Sequence, residues 1–230
     1  TISRCMMSLD SMGPISADTY RNEKFQKLRS NMLEGKWDEK GCHSCAFAEH
    51  NNLTSQRKKW LSREQKYLGE TGIYKNNLNV VENDIYHLYM NFNNICNFKC
   101  RMCGPHFSNA WIPDYKKLQD LTEVAKDAPI PPKQQVDIDK FFEEFGSKIS
   151  NLKQIWITGG EPFMDDSIYK FFTLLKKYCD ISKIYVVVNS NASKIDISKI
   201  YSLLEVKKLL LNISVDSTGH LYQYMRGYHY

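Results

Sequence analysis

From residue 84 onward, short apolar runs alternate with amphipathic stretches, and this constrains the chain more than any other feature. Strands are predicted over residues 85–92, 153–158, 183–189 and 209–215. Helices are predicted between them, over 108–124, 141–149, 168–178 and 197–204. The third helix carries an apolar face at Phe171, Phe172, Leu174 and Leu175. Residues 128–135 hold three prolines and read as loop. A strand reaches a parallel neighbour only through a long crossover, usually a helix. The alternation therefore implies βαβ units and an α/β fold with a parallel sheet.

Residues 1–75 have a different character, polar and cysteine-bearing, so two domains are expected, 1–75 and 76–230. A helix is predicted over 16–34, capped by Ser16 or Asp18, with Phe25, Leu28, Met32 and Leu33 on one face and Gly35 at its end. Residues 37–45 read as loop, 47–68 as a charged helix, and 71–79 as a linker rich in Gly and Asn. With 42% hydrophobic and 25% charged residues the chain has an ordinary globular composition. Its net charge of +5, with no run of five or more basic residues, would suit an anionic partner without demanding nucleic acid. Apolar runs are far too short for a membrane span. The chain opens at Thr1 and closes at Tyr230, and further sequence is expected at both ends. Seven cysteines in a chain with a normal core point to metal or redox work in a reducing, cytoplasmic compartment.

Three of those cysteines, Cys96, Cys100 and Cys103, form a C-x3-C-x2-C pattern directly after the first predicted strand of the α/β region. Thiolates are the natural ligands of iron–sulfur clusters. Three in one loop can hold three irons of a 4Fe–4S cube and leave the fourth open to a small chelating molecule. A zinc knuckle is the competing reading, but zinc usually takes four protein ligands in C-x2-C pairs. A second motif, Gly159-Gly160-Glu161-Pro162, ends the next strand. Residues without a β-carbon let a strand end approach a ligand closely. Glu161 can accept from an ammonium or hold the loop.

These two motifs together resemble the radical S-adenosylmethionine (SAM) superfamily. The resemblance implies a partial (βα) barrel of six βα units, of which four are readable here. It implies that Cys96, Cys100 and Cys103 hold a 4Fe–4S cluster whose open iron binds the amino and carboxylate groups of SAM. One electron then breaks the sulfonium C–S bond, and the 5′-deoxyadenosyl radical takes hydrogen from a substrate. Phe98 and Met102 would pack around the cluster. The family often has an aromatic residue where Met102 stands. Gly159, Gly160, Glu161 and Pro162 would meet the SAM amino group. Weaker likenesses add Asn189 and Asn191 at the end of the third strand, Ser214 and Asp216 at the end of the fourth, and Arg226 beyond it. Each of these alone also reads as a capped strand end or a turn.

Upstream, Cys42 and Cys45 form a C-x2-C pair, with Cys5 further back. On spacing alone such a pair suits zinc or an iron–sulfur cluster equally. Phe25-x-x-Leu28-Arg29, Met32-Leu-Glu-Gly35, the pair itself, Glu49 and Ser55-x-Arg57 resemble the twitch module, which carries an auxiliary iron–sulfur cluster. A subgroup of the superfamily has that module N-terminal to the radical core. The missing fourth ligand is expected upstream of Thr1. Cys179 reads as a small buried hydrophobe. The function implied is radical catalysis on an unidentified substrate, with peptide modification or sugar or alcohol oxidation leading. A flavodoxin- or ferredoxin-type protein would donate the electron. Two other classes compete: a non-catalytic iron–sulfur electron carrier and a zinc-binding nucleic-acid module.

Overall fold

The computed structural model describes residues 2–3, 11–13, 16–36, 41–59, 62, 85–123, 130–131 and 134–227. Cys5 and the expected linker over 71–79 lie outside the described residues. The chain divides into two compact units, Thr1–Asn83 and Asp84–Tyr230. Among the described residues no helix is long and apolar enough to cross a membrane.

The first unit opens with a short antiparallel pair, β1 (Ile2–Ser3) and β2 (Ser11–Gly13), which periodicity did not suggest. The helix expected over 16–34 is in fact two, α1 (Ala17–Arg21) and α2 (Glu23–Leu33). Asn22 causes the break. Its extended backbone ends α1, and its side chain accepts from Phe25 N at 3.0 Å to start α2. This is the N-cap role for which asparagine is suited. Phe25 and Leu28 are buried, whereas Met32 on the same expected face is 54% exposed. Gly35 sits at φ +69° after α2, a left-handed conformation that glycine adopts without cost. The next helix, α3 (His43–His50), begins earlier than expected and is shorter. Cys42 caps it and Cys45 lies in its first turn, so the cysteine pair is not a loop feature. Asn51 and Asn52 end it, with Asn52 at φ +57°.

The second unit is built on four parallel strands that neighbour one another in chain order: β3 (His87–Asn91), β4 (Gln154–Thr158), β5 (Tyr185–Ser190) and β6 (Lys208–Ile213). Helices lie between them. A 3-10 turn at Asn109–Trp111 leads into α4 (Ile112–Leu121), with Pro113 in its first turn, where a missing N–H costs nothing. Next come α5 (Ile138–Phe145), capped by Asp137, and α6 (Ser167–Leu175). The short α7 (Ile197–Ile200) continues as a 3-10 turn at Tyr201–Leu203. A helix absent from the sequence reading, α8 (Gly219–Arg226), follows β6.

One sheet face is covered by helices. Met90, Ile155, Ile157, Val186 and Val188 are buried there, and the Phe92 ring meets Phe171 of α6 at 5.3 Å between centroids. Phe141, Phe142 and Phe172 complete this aromatic core around Phe171, which is fully buried. The other face is more open. Tyr89, Trp156, Val187 and Leu210 lie side by side on it, and Tyr89 and Leu210 are exposed. Replacing Phe171 with Ala should leave a cavity that rigid neighbours cannot fill. The expected loss is about 3–5 kcal/mol, read as a lower midpoint in chemical denaturation of the chain.

Candidate functional site

The cysteine loop runs from the end of β3 into the 3-10 turn at Asn109. It is anchored first by the end of β4. Gly160 N donates to Asn93 O at 3.0 Å and Glu161 N to Ile95 O at 2.7 Å. A β-carbon on Gly160 would stand 2.0 Å from Ile95 O, and one on Gly159 2.7 Å from Asn93 O. Gly159 also holds φ +118°. The paired glycines are thus required by close approach to the cysteine loop itself, a nearer reason than close approach to a ligand.

Polar side chains then take the loop's unpaired backbone groups. Asn94 is 1% exposed, donates to Pro105 O and accepts from Gln134 N. Ser108 donates to Phe98 O at 2.6 Å, Asn109 accepts from Cys96 N, and Trp111 donates to Cys100 O at 3.1 Å. Buried backbone groups left without such partners would each cost about 1–3 kcal/mol. None of these bracing residues stood out in the sequence.

Two of the three sulfurs face N–H donors. Phe98 N donates to Cys96 Sγ at 3.4 Å, Arg226 Nη1 to Cys100 Sγ at 3.6 Å, and Asn191 Nδ2 to Cys96 Sγ at 3.8 Å. Burial raises the Cys96 thiol above its ordinary range. Cys100 is drawn down to about 6, first by the Cys103 thiol that donates to it and then by Arg226. Cys103, the donor of that pair, moves upward. N–H donors at Cys96 and Cys100 suit thiolate ligands of an iron–sulfur cube. Among the described residues no three His, Cys, Asp or Glu groups converge tightly enough for a single metal ion. A cube makes no such demand, because each thiolate takes a different iron.

The other expected residues fall in distinct places. Glu161 is 1% exposed and holds the loop, not an open ligand position. It accepts from Ser190 Oγ at 2.7 Å, Asn191 N at 2.6 Å and Phe163 N at 3.3 Å, tying the end of β4 to the end of β5. Burial still raises its carboxyl above the usual range. Asn191 reaches the cysteine loop. Asn189 lies on the open sheet face and accepts from Asn212 Nδ2 at 2.9 Å. Ser214 N continues the ladder to Ser190 O, and its side chain is half-buried. Asp216 pairs with Arg226, Nε to Oδ2 at 2.6 Å, as an ion pair and not an aligned hydrogen bond. Phe98 is buried, and Met102 is 52% exposed. Pro162 is buried behind the glycines. Cys179 stands apart, its thiol pushed up to about 11 by burial.

In the first unit, Cys42 at the N-cap of α3 and Cys45 in its first turn are half-buried. The last turn of that helix is braced. Arg57 grips both oxygens of Glu49, and Ser55, itself 2% exposed, donates to the same carboxylate at 2.5 Å. Arg57 holds the Glu49 carboxyl below its ordinary range. Among the described residues no cysteine is in a disulfide.

Replacing Gly160 with Ala should drive a β-carbon into backbone that cannot yield. The expected cost is about 3 kcal/mol or more. Thermal melting should record it, and iron bound per chain should fall in parallel. A search of the curated proteins finds no match to this sequence. A family model described as the Radical SAM superfamily matches residues 90–230, the stretch that holds the cysteine loop, the glycine pair and all four parallel strands' carboxyl ends. The chain therefore belongs to the radical SAM superfamily, enzymes that use an iron–sulfur cluster and SAM.

Proposed function

We propose that Cys96, Cys100 and Cys103 hold the 4Fe–4S cluster and that the chain cleaves SAM reductively to abstract hydrogen from a substrate. The observation that carries this is the loop: three thiols within eight residues, fastened backbone to backbone onto Gly160 and Glu161, with N–H donors at Cys96 and Cys100. When bound, such a cluster supplies the electron that splits the sulfonium C–S bond of SAM. The chain's own residues position and exclude. Phe98, 2% exposed, keeps water from the inner side of the loop. Gly159 and Gly160 admit the cysteine loop to the end of β4, and the Gly159–Pro162 segment would meet the SAM amino group. Glu161 keeps the ends of β4 and β5 at a constant separation through Ser190 and Asn191.

The sequential strand order supports a sheet wound as part of a barrel. On that reading its open face is where substrate stands. That face carries a row of uncharged polar groups near the strand carboxyl ends. Thr158 donates to Asn91 at 2.7 Å and shares a hydrogen bond with Tyr89, and Asn212 donates to Asn189. Amides and hydroxyls suit a peptide backbone or a polyol, the two substrate classes that the twitch likeness favours. The first unit we read as a twitch-like module. Cys42, Cys45 and Cys5 would ligate an auxiliary iron–sulfur cluster, and a flavodoxin- or ferredoxin-type protein in the cytoplasm would donate the electron.

The test is anaerobic reconstitution with iron and sulfide, reduction with dithionite and addition of SAM. Formation of 5′-deoxyadenosine, lost when Cys96, Cys100 and Cys103 are all replaced by Ala, is the expected result. Iron-loaded protein that forms none would leave an electron carrier, and bound zinc without iron would leave the zinc module. A separate variant with Cys42 and Cys45 changed to Ser should keep that activity at the cleavage step but lose the iron of one cluster. Unchanged iron content would remove the auxiliary cluster from this reading.

A further inference from the structure

Helix α8 was not expected, and its last turn lies directly against the cysteine loop. Arg101 N donates to Met225 O at 2.8 Å, and Arg101 Nε to Tyr224 O at 2.9 Å. The Arg101 guanidinium also stacks on the Tyr224 ring at 3.8 Å. Gly227, at φ +61°, ends the helix so close to Lys99 that a β-carbon there would stand 2.3 Å from Lys99 O. These contacts fall between Cys96 and Cys103. They leave the Arg226 side chain little choice of position. It is 8% exposed, with Nη1 3.6 Å from Cys100 Sγ and Nε 2.6 Å from Asp216 Oδ2.

We propose that Arg226 and Asp216 form a charge pair that positions Cys100 and sets the reduction potential of the cluster it ligates. This rests on the reading of Cys96, Cys100 and Cys103 as cluster ligands. It departs from the expectation that both residues contact SAM, since each is already engaged by the other. The physical reason is charge. On taking one electron from its donor, the cluster becomes more negative, and a cation donating to one of its thiolates stabilises that state. Asp216 offsets part of the cation's field. The two residues therefore act in opposite senses, Arg226 raising the potential and Asp216 lowering it. A pair that merely held α8 to the loop would have one effect whichever partner was removed.

The test is a mediated redox titration of the reconstituted full chain, followed by electron paramagnetic resonance. The signal read is the one that changes when SAM is added, so a second cluster does not enter. Arg226→Gln should make the potential more negative, with the reduced-to-oxidised ratio at fixed ambient potential falling about tenfold, or about 59 mV for a one-electron couple. Asp216→Asn should move it the other way. Arg226→Lys, which keeps the charge, should stay near the parent. If Arg226→Gln fails to load iron, Asp216→Asn and Arg226→Lys decide the matter by the same signs. Shifts of both neutral variants in one direction, or no shift in Asp216→Asn, would overturn the pair's role while SAM cleavage by the parent protein still stood. A parent protein that loads no cluster would sink both readings together.

Discussion

The approach of Gly159 and Gly160 to the backbone of Asn93 and Ile95 governs the arrangement of the whole second unit. Parallel strands usually part at their carboxyl ends, each entering its own loop. Here the pairing of β3 with β4 runs past Asn91 and Thr158 into the loops themselves, through Gly160 N to Asn93 O and Glu161 N to Ile95 O. Cys96 follows one residue later. The first thiol is therefore located by main-chain hydrogen bonds to the sheet, which have no rotamer freedom. A side-chain tether would fix it far less tightly. The same contact delivers Glu161 to the interior, where it can reach β5.

That anchoring creates a debt of unpaired backbone groups along the loop, and buried side chains meet it. Asn94, Ser108, Asn109 and Trp111 each bond a backbone group of the loop or its flank. The net gain per bond is only about 1 kcal/mol, but an unpaired buried group costs more than that. The set is thus most consequential as a whole. It makes one loop conformation far better satisfied than its competitors. On the far side, α8 holds residues 99–101 in the same way, with Arg101 closing the last-turn carbonyls of Tyr224 and Met225.

How much of this was legible in the sequence depended on whether a feature was local. All four parallel strands were readable, because short apolar runs such as Ile155–Ile157 and Tyr185–Val188 need no partner to detect. The cysteine spacing and the glycine pair were equally plain. Boundaries set by a single capping group were not. Asn22 divides one expected helix into two, and the start of α3 at His43 moves the cysteine pair from loop to helix. Helix α8 was missed because no side-chain cap opens it and the residue it buries is Arg226, while Leu221 and Tyr224 stand exposed. Roles that rest on distant partners were also out of reach. Nothing near Glu161 in sequence names Ser190, and nothing near Asp216 shows that Arg226 will turn to Cys100 rather than to a ligand.

The acidic groups around the loop share one property that bears on the chemistry. Three thiolates in one loop make an anionic site, and any unengaged carboxylate nearby would disfavour ionised sulfur. Here each neighbouring carboxylate has its own donor or cation. Glu161 takes Ser190 and Asn191, Asp165 takes Asn93 and Ser167, Asp216 takes Arg226, and Asp114 takes Lys99 at 2.7 Å. Asn93 both shapes the loop and satisfies a carboxylate, since it accepts from Ile95 N and donates to Asp165. A change to Asn93 will therefore act on the fold of the loop and on the charge around its sulfurs together.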